Sequence, residues 1–240
     1  MEEQTQGIRL GDAVRLSPSK VLTPGALAVG RGVHADVPVL VLLAAGKGTR
    51  FGASPKCVQP VCGLPLARHS IQAFRAFVTG PVLCLVHHRE DDVISLLGDD
   101  VVYIHSDNPT GGTAFAAMES FCVEALETAN PLLVITMGDR VVPTSMFEQL
   151  HKTHSAGSRE ADLTLLSMQY EPPRHRGKGR IARDAQNRVV RIVEQREIDT
   201  MPAGDERAGL DATTEANCSL YAVRALTLHR RFGPTVRQGR

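Results

Sequence analysis

The apolar run Val37-Pro38-Val39-Leu40-Val41-Leu42-Leu43 leads without a break into Ala44-Ala45-Gly46-Lys47-Gly48-Thr49-Arg50-Phe51-Gly52. No other feature constrains the fold of this chain as strongly. A short run of Val and Leu closed by glycines reads as a strand buried on both faces, and such strands belong to parallel sheets covered by helices. The glycines let the backbone come close to a ligand, and the N–H groups of such a loop attract anions. Arg50 and, beyond Ser54-Pro55, Lys56 add cationic donors suited to phosphate. The spacing is not a Walker A loop, because no Gly-Lys-Ser/Thr closes it, and it is not the G-x-G-x-x-G dinucleotide fingerprint.

From Val37 onward, strand-like and helix-like segments alternate. The strand patterns are Val39–Ala44, Val82–His87, Val101–His105, Pro131–Met137 and Leu163–Gln169. The helix patterns are Leu66–Phe77, Asp91–Leu97, Thr113–Glu127 and Ser145–His154. This alternation predicts an α/β fold with a mostly parallel, Rossmann-like sheet and helices on both faces. Beyond residue 170 the pattern changes. Ile181–Asp184 and Val189–Glu194 read as a β-hairpin turning at Gln186-Asn187, which predicts a small β-hairpin lobe. Ile198–Thr214 reads as a long polar loop, Ala216–Ala222 as a last strand, and the end of the chain as a basic tail. Residues 1–36 lack periodicity and are expected to form an N-terminal extension, disordered in part, with the domain itself over 37–240.

Composition narrows the classes of function. The formal net charge is +1, so no global field draws the chain to nucleic acid or to an anionic membrane. No apolar run approaches the roughly 18 residues of a transmembrane helix. The start, Met1-Glu2-Glu3-Gln4, lacks the basic and apolar regions of a secretory signal. The five cysteines are odd in number and form no C-x-x-C, which fits a reducing, cytoplasmic setting. Cys57 stands beside Lys56 and reads as a plain loop thiol.

In doubly wound sheets, ligands bind beyond the carboxyl ends of the strands. Three features fall at such ends: Gly46–Lys56, Asp107–Thr113 and Gly138-Asp139. They are expected to form one site. A carboxylate at Asp139 suits Mg²⁺ held against phosphates, or alternatively a cap on the next turn. Gly111-Gly112-Thr113 opens a helix. Its N–H groups and hydroxyl suit a base or phosphate, and Thr113 also suits an N-cap.

The first block resembles the L-A-A-G-x-G-T-R … P-K signature of the nucleotidyltransferases that activate sugar phosphates. Three later blocks extend the resemblance: Gly177-Lys178-Gly179-Arg180-Ile181, Ile192-Val193-Glu194-Gln195 and Glu215-Ala216-Asn217. They are similar, in the same order, to blocks of the bacterial N-acetylglucosamine-1-phosphate uridylyltransferases, over roughly Val39 to Ala222. The resemblance implies the nucleotide-diphospho-sugar transferase type of fold. It also implies a Mg²⁺-dependent reaction that joins a nucleoside triphosphate to a sugar phosphate, N-acetylglucosamine 1-phosphate among them, with release of pyrophosphate. By position, Leu43, Ala44 and Gly46 line the nucleotide, and Arg50 and Lys56 hold the triphosphate. Gly112 and Thr113 lie near the base, and Asp139 binds Mg²⁺. Gly179, Glu194 and Asn217 hold the sugar.

The sequence departs from that family at three places. Asp107 stands where the family has a uracil-reading glutamine. A carboxylate only accepts hydrogen bonds, so it suits the amino group of cytosine better than the edge of uracil. Arg140 follows Asp139 and either contacts phosphate or pairs with Asp139. The family's second metal ligand has no counterpart before Arg240, so the domain is expected to be truncated at its C-terminus. Two alternatives stand beside the sugar-phosphate reaction. One is a cytidylyltransferase acting on an alcohol phosphate. The other is a catalytically weak, nucleotide-binding regulatory protein. The base, the acceptor and the oligomeric state are left open.

Overall fold

In the computed structural model, which describes residues 21, 32–46, 54–109, 111–156 and 162–237, the run after Pro38 forms β1 (Val39–Leu43). Every β1 residue is buried. It pairs in parallel with β4 (Val82–Val86) on one edge, Leu40 opposite Val82 and Leu43 opposite Leu85. On its other edge it pairs in parallel with β6 (Leu132–Met137), Val39 opposite Leu133 and Leu43 opposite Met137. Beyond β4, β5 (Val102–His105) adds a fourth parallel strand. The predicted parallel, Rossmann-like sheet is therefore present, in the order β5-β4-β1-β6.

Helices cover this sheet because their apolar residues fall on one stripe. In α1 (Leu66–Phe77), Ala67, Ser70, Ile71 and Phe74 are buried, the spacing of a single helical face. Phe74 meets Phe147 edge-on, with ring centroids 5.5 Å apart. Before α1, β2 (Pro60–Val61) and β3 (Leu64–Pro65) form a minimal hairpin. Cys62 and Gly63 turn it with φ of 47° and 83°, the left-handed pair that tight hairpins require. α2 (Glu90–Leu97) opens with Glu90, Asp91 and Asp92, which complement the positive end of the helix dipole.

Several sequence expectations need correction. The single helix expected over Thr113–Glu127 is α3 (Gly112–Glu119), a 3₁₀ turn at Ser120–Cys122 and α4 (Ala125–Ala129). The Ser120 hydroxyl turns back onto the Ala117 carbonyl, and Val123 is extended, so the helix cannot run through. Because α3 begins at Gly112, Thr113 lies inside the helix and is not its N-cap, a place taken by Gly111. The basic tail is in fact α8 (Ala225–Arg237). It is anchored at its start, where the Ala225 N–H bonds to Pro131 O and the Leu226 N–H bonds to Asn130 Oδ1.

The chain divides into two units. The sheet above belongs to the first, with residues up to Glu148 and from Val223, and the second is Gln149–Ala222. The chain passes between them inside α5 (Thr144–Ala156) and again inside β10 (Glu215–Arg224). In the second unit, β7 (Leu163–Gln169) and β8 (Arg180–Arg183) each pair with β10, and β9 (Val189–Val193) pairs antiparallel with β8. The expected hairpin is present, with Asn187 at φ 63° and the Asp184 carboxylate accepting from the N–H groups of Gln186 and Arg188. Arg183 spans both oxygens of Glu215 at 2.7 and 2.8 Å and holds that carboxyl below its usual range.

The segment Ile198–Thr214 is not a loop. It carries the second half of α6 (Gln195–Thr200) and all of α7 (Asp205–Ala212). Ile198 and Leu210 pack on Val193 in a small core of their own.

Of residues 1–36, those described include Val33, which is buried, and Ala35, whose carbonyl accepts from Arg224. Among the described residues no helix is long and apolar enough to cross a membrane.

The turn before β4 leaves no room for a side chain. A Cβ on Gly80 would stand 2.1 Å from the Pro38 carbonyl oxygen, a backbone atom held by the start of β1. Gly80→Ala is expected to lower unfolding free energy by about 1–3 kcal/mol, the usual cost of overpacking. Urea denaturation against wild type checks it.

Candidate active site

The ends of β1, β6 and β5 are held flush. The Ala44 N–H bonds to Leu85 O, Gly138 N–H to Leu43 O, and Ser106 N–H to Val86 O, at 2.8, 2.8 and 2.7 Å. Three loops therefore leave the same edge of the sheet, as the topology predicts.

Between β1 and β6 lies an open pocket of about 110 Å³, lined by Leu43, Ala44, Gly46, Lys56, Cys57, Met137 and Asp139. Five of these seven, Leu43, Ala44, Gly46, Lys56 and Asp139, are sequence-stated site residues, here brought together. Lys56 Nζ lies 2.7 Å from Asp139 Oδ2, and both side chains are about one-third exposed. Lys56 begins a 3₁₀ turn at Lys56–Val58 whose other two residues are buried, so its backbone is fixed while its amine reaches the pocket. Glycine is needed before Asp139 because β6 and β1 close tightly there. A Cβ at 138 would meet Ala44 Cβ at 3.1 Å, Cys57 Cβ at 3.2 Å and Leu43 O at 3.3 Å.

Arg140 pairs only loosely with Asp139, Nε standing 3.9 Å from Oδ1. The loop beyond Asp139 is fixed instead by Ser70, which sequence reasoning missed. Its buried hydroxyl donates to Arg140 O at 2.7 Å and accepts from the Val142 N–H at 2.9 Å. Its only signal is a serine on the buried stripe of α1.

Asp107 and Gly112-Thr113 lie at the end of β5 and the start of α3, on the same sheet edge but not among the residues lining this pocket. Strands spaced about 4.8 Å apart put the end of β5 roughly 10 Å from that of β1. Asp107 and Thr113 are exposed, and Gly112 takes φ +88°. Arg50 lies outside the described residues.

In the second unit, Gly179, Glu194 and Asn217 also come together. The Asn217 N–H bonds to Gly179 O at 2.9 Å, and a Cβ on Gly179 would meet Glu194 Oε1 at 3.3 Å. Glu194 is exposed at the end of β9, whereas Asn217 is buried. The Asn217 amide serves a local turn, with Oδ1 accepting from the Ser219 N–H and Nδ2 donating to the Tyr221 hydroxyl. Arg180 bridges the flanks of this cluster, reaching Lys178 O at 2.6 Å and Gln195 Oε1 at 2.9 Å, with its guanidinium over the Tyr170 ring.

The donor set at Asp139 fits Mg²⁺. That ion takes one or two carboxylates and completes its shell with waters and substrate phosphates. Among the described residues no three His, Cys, Asp or Glu side chains gather into a metal cage. A single carboxylate beside a lysine suits an ion that arrives with a polyphosphate, and that lysine suits the phosphate itself.

Comparison with known proteins follows the same lines. The pattern of the MobA-like NTP transferase domain matches residues 40–175. The bifunctional protein GlmU of Ralstonia nicotianae is 34% identical over 159 residues, 66% of this chain and 33% of that protein. The bifunctional protein GlmU of Caldanaerobacter subterraneus is 32% identical over 186 residues, 77% of this chain and 37% of that protein. The chain thus spans about a third of the length of these curated relatives. A structure described as a glucose-1-phosphate thymidylyltransferase from Bacillus anthracis superimposes with a TM-score of 0.58 at 17% identity, over 85% of this chain and 78% of that one. The inositol-1-phosphate CTP transferase from T. maritima gives 0.56 at 15% identity, over 83% and 75%. At such identities the two structures speak to the fold, which is α/β of the nucleotide-diphospho-sugar transferase type.

Burial pushes the Cys57 thiol up to about 11, and the coulombic effect of Asp139 adds to the rise. It therefore stays protonated, and unreactive, well above neutral pH. Iodoacetamide at pH 8 is expected to label exposed Cys62 in the native protein, and Cys57 and Cys84 only after unfolding. Peptide mass spectrometry checks the order.

Proposed function

The chain belongs to the family of MobA-like NTP transferase domains and is a nucleotidyltransferase; from that premise we propose that it joins a nucleoside triphosphate to a sugar 1-phosphate, with Mg²⁺ and with release of pyrophosphate. The observation that carries this reading is the pairing of Lys56 with Asp139 in a pocket at the ends of β1 and β6. A cation and a metal-binding carboxylate side by side, with strand-end backbone around them, suit a triphosphate. The blocks that resemble those of the N-acetylglucosamine-1-phosphate uridylyltransferases support a sugar 1-phosphate as acceptor, N-acetylglucosamine 1-phosphate being the first to test.

In this reaction an oxygen of the acceptor's phosphate attacks the α-phosphorus in line. The bond from that phosphorus to the oxygen bridging to the β-phosphorus breaks, and pyrophosphate leaves with the electron pair. No protein nucleophile is required. The residues position the reactants and offset the charge that builds on the phosphate oxygens. Asp139 would hold Mg²⁺, which when bound supplies Lewis-acid stabilisation of the same charge. Lys56 and Arg50 hold the phosphates. Leu43, Ala44 and Gly46 offer backbone to the nucleoside, and Asp107, Gly112 and Thr113 lie toward its base. A base at the end of β5 and phosphates at the end of β1 match the span of a nucleotide. Gly179, Glu194 and Asn217 hold the sugar.

A second reading rests on Asp107. An exposed carboxylate favours a base that presents an amino group, so a cytidylyltransferase acting on an alcohol phosphate is the alternative.

The test is pyrophosphate release with Mg²⁺, across the common nucleoside triphosphates paired with sugar 1-phosphates and alcohol phosphates. Release from one pair, absent in Asp139→Ala, is the expected result and names base and acceptor together. A folded wild-type protein that releases none from any pair would overturn the proposal. Lys56→Ala is expected to lower kcat about a hundredfold to a thousandfold, the cost of one lost electrostatic donor. Gly179→Ala crowds Ile192 Cγ2 at 3.0 Å and, beyond it, the Glu194 carboxylate at 3.3 Å. It is expected to raise KM for the acceptor and leave KM for the triphosphate unchanged, as steady-state kinetics with each substrate varied in turn would show.

A further inference from the structure

Glu119 is the last residue of α3 and one of few charged side chains buried in the described structure, at 2% exposure. A buried carboxylate is costly unless its oxygens are hydrogen-bonded. Both are. Oε1 accepts the backbone N–H of Asp107 at 2.7 Å, and Oε2 accepts the hydroxyl of Ser106. Ser106 is held at two further atoms, its N–H by Val86 O and its carbonyl by His87 Nδ1 at 2.8 Å. The backbone that presents Asp107 is thus fixed by a carboxylate on the helix whose first turn carries Gly112 and Thr113. One rigid element ties together the three residues assigned to the base.

We propose that Glu119 is a positioning residue that sets the Asp107 loop and thereby the protein's discrimination among nucleobases; this rests on the reading that Asp107 faces the base. Discrimination by a hydrogen bond requires the acceptor to be held to within a fraction of an ångström, and sites of this kind depend on the groups that lock the contacting residue. Asp107 is exposed at the mouth of a loop, and the two bonds to Glu119 hold the backbone that presents it. In Glu119→Ala the Asp107 N–H and the Ser106 hydroxyl lose their partner, and the loop relaxes to find others. In Glu119→Gln the carboxamide oxygen still accepts from the Asp107 N–H, and its NH₂ donates to the Ser106 oxygen.

The experiment is calorimetric titration of the full chain with ATP, CTP, GTP, UTP and dTTP, each with Mg²⁺, and with inorganic tripolyphosphate as a ligand lacking a base. Glu119→Ala is expected to bind the preferred triphosphate about tenfold more weakly, the size of one lost buried hydrogen bond, and to bring the bases close to parity. Tripolyphosphate should bind as it does to wild type, and Glu119→Gln should keep the wild-type ranking. Base discrimination unchanged in Glu119→Ala overturns the proposal, as does an equal loss of tripolyphosphate, which marks a merely structural role. Should Glu119→Ala fail to fold, Ser106→Ala removes half of the clamp, and unchanged discrimination there overturns it. Asp107→Ala separates this proposal from its premise. If discrimination survives that change, Asp107 does not read the base; if it is lost there yet kept in Glu119→Ala, the clamp alone is refuted.

Discussion

β1 is hydrogen-bonded on both edges and buried on both faces, and the site is built on that constraint. A strand with no exposed edge cannot shift register without exposing apolar side chains and breaking two ladders at once. Its end is therefore a fixed point. The Leu43 carbonyl receives the Gly138 N–H, so Asp139 leaves β6 at a position set by β1. Lys56 returns to the same point after the glycine loop. The pairing of these two residues is a consequence of strand register.

The chemistry proposed for this place asks little of it. Triphosphates bring their own charge and carry their own metal ion, so a protein that binds one has to offer little more than cations, one carboxylate and close backbone. Small residues let the backbone approach, and buried partners keep it still. Gly138 leaves no space between β1, β6 and Cys57. Ser70 on α1 ties down the segment after Asp139, and Glu119 on α3 ties down the segment after β5. In both cases a helix packed against the sheet lends a polar side chain to a loop at the sheet's edge. Interior hydrogen bonds of this kind cost most when one partner is removed, which gives these positions leverage over groups they do not touch.

The strands of the first unit were legible because their signal is intrinsic: unbroken apolar runs bounded by turn residues. α1 was legible to the residue because one face of it is apolar. α6 and α7 were not. Each is short and polar, with one well-buried residue, Ile198 or Leu210, and each is held by packing on Val193. Short helices are marginal in isolation, and tertiary contact decides them. The reverse error at Thr113–Glu127 has the same origin. Local propensity favours one long helix, while Ser120 and the extended Val123 divide it to fit the core.

The sequence by itself determined the parallel sheet and where its strands begin and end, because apolar periodicity and turn chemistry act locally. It also contained Glu119, a lone charge among apolar residues of α3, without saying what that charge was for. Only the tertiary structure decided that Lys56 and Asp139, 83 residues apart, would face each other at 2.7 Å. The same holds for the gathering of Gly179, Glu194 and Asn217, and for the bonds from Glu119 to the Asp107 loop. Those are products of strand order and helix packing, and no local window of sequence carries them.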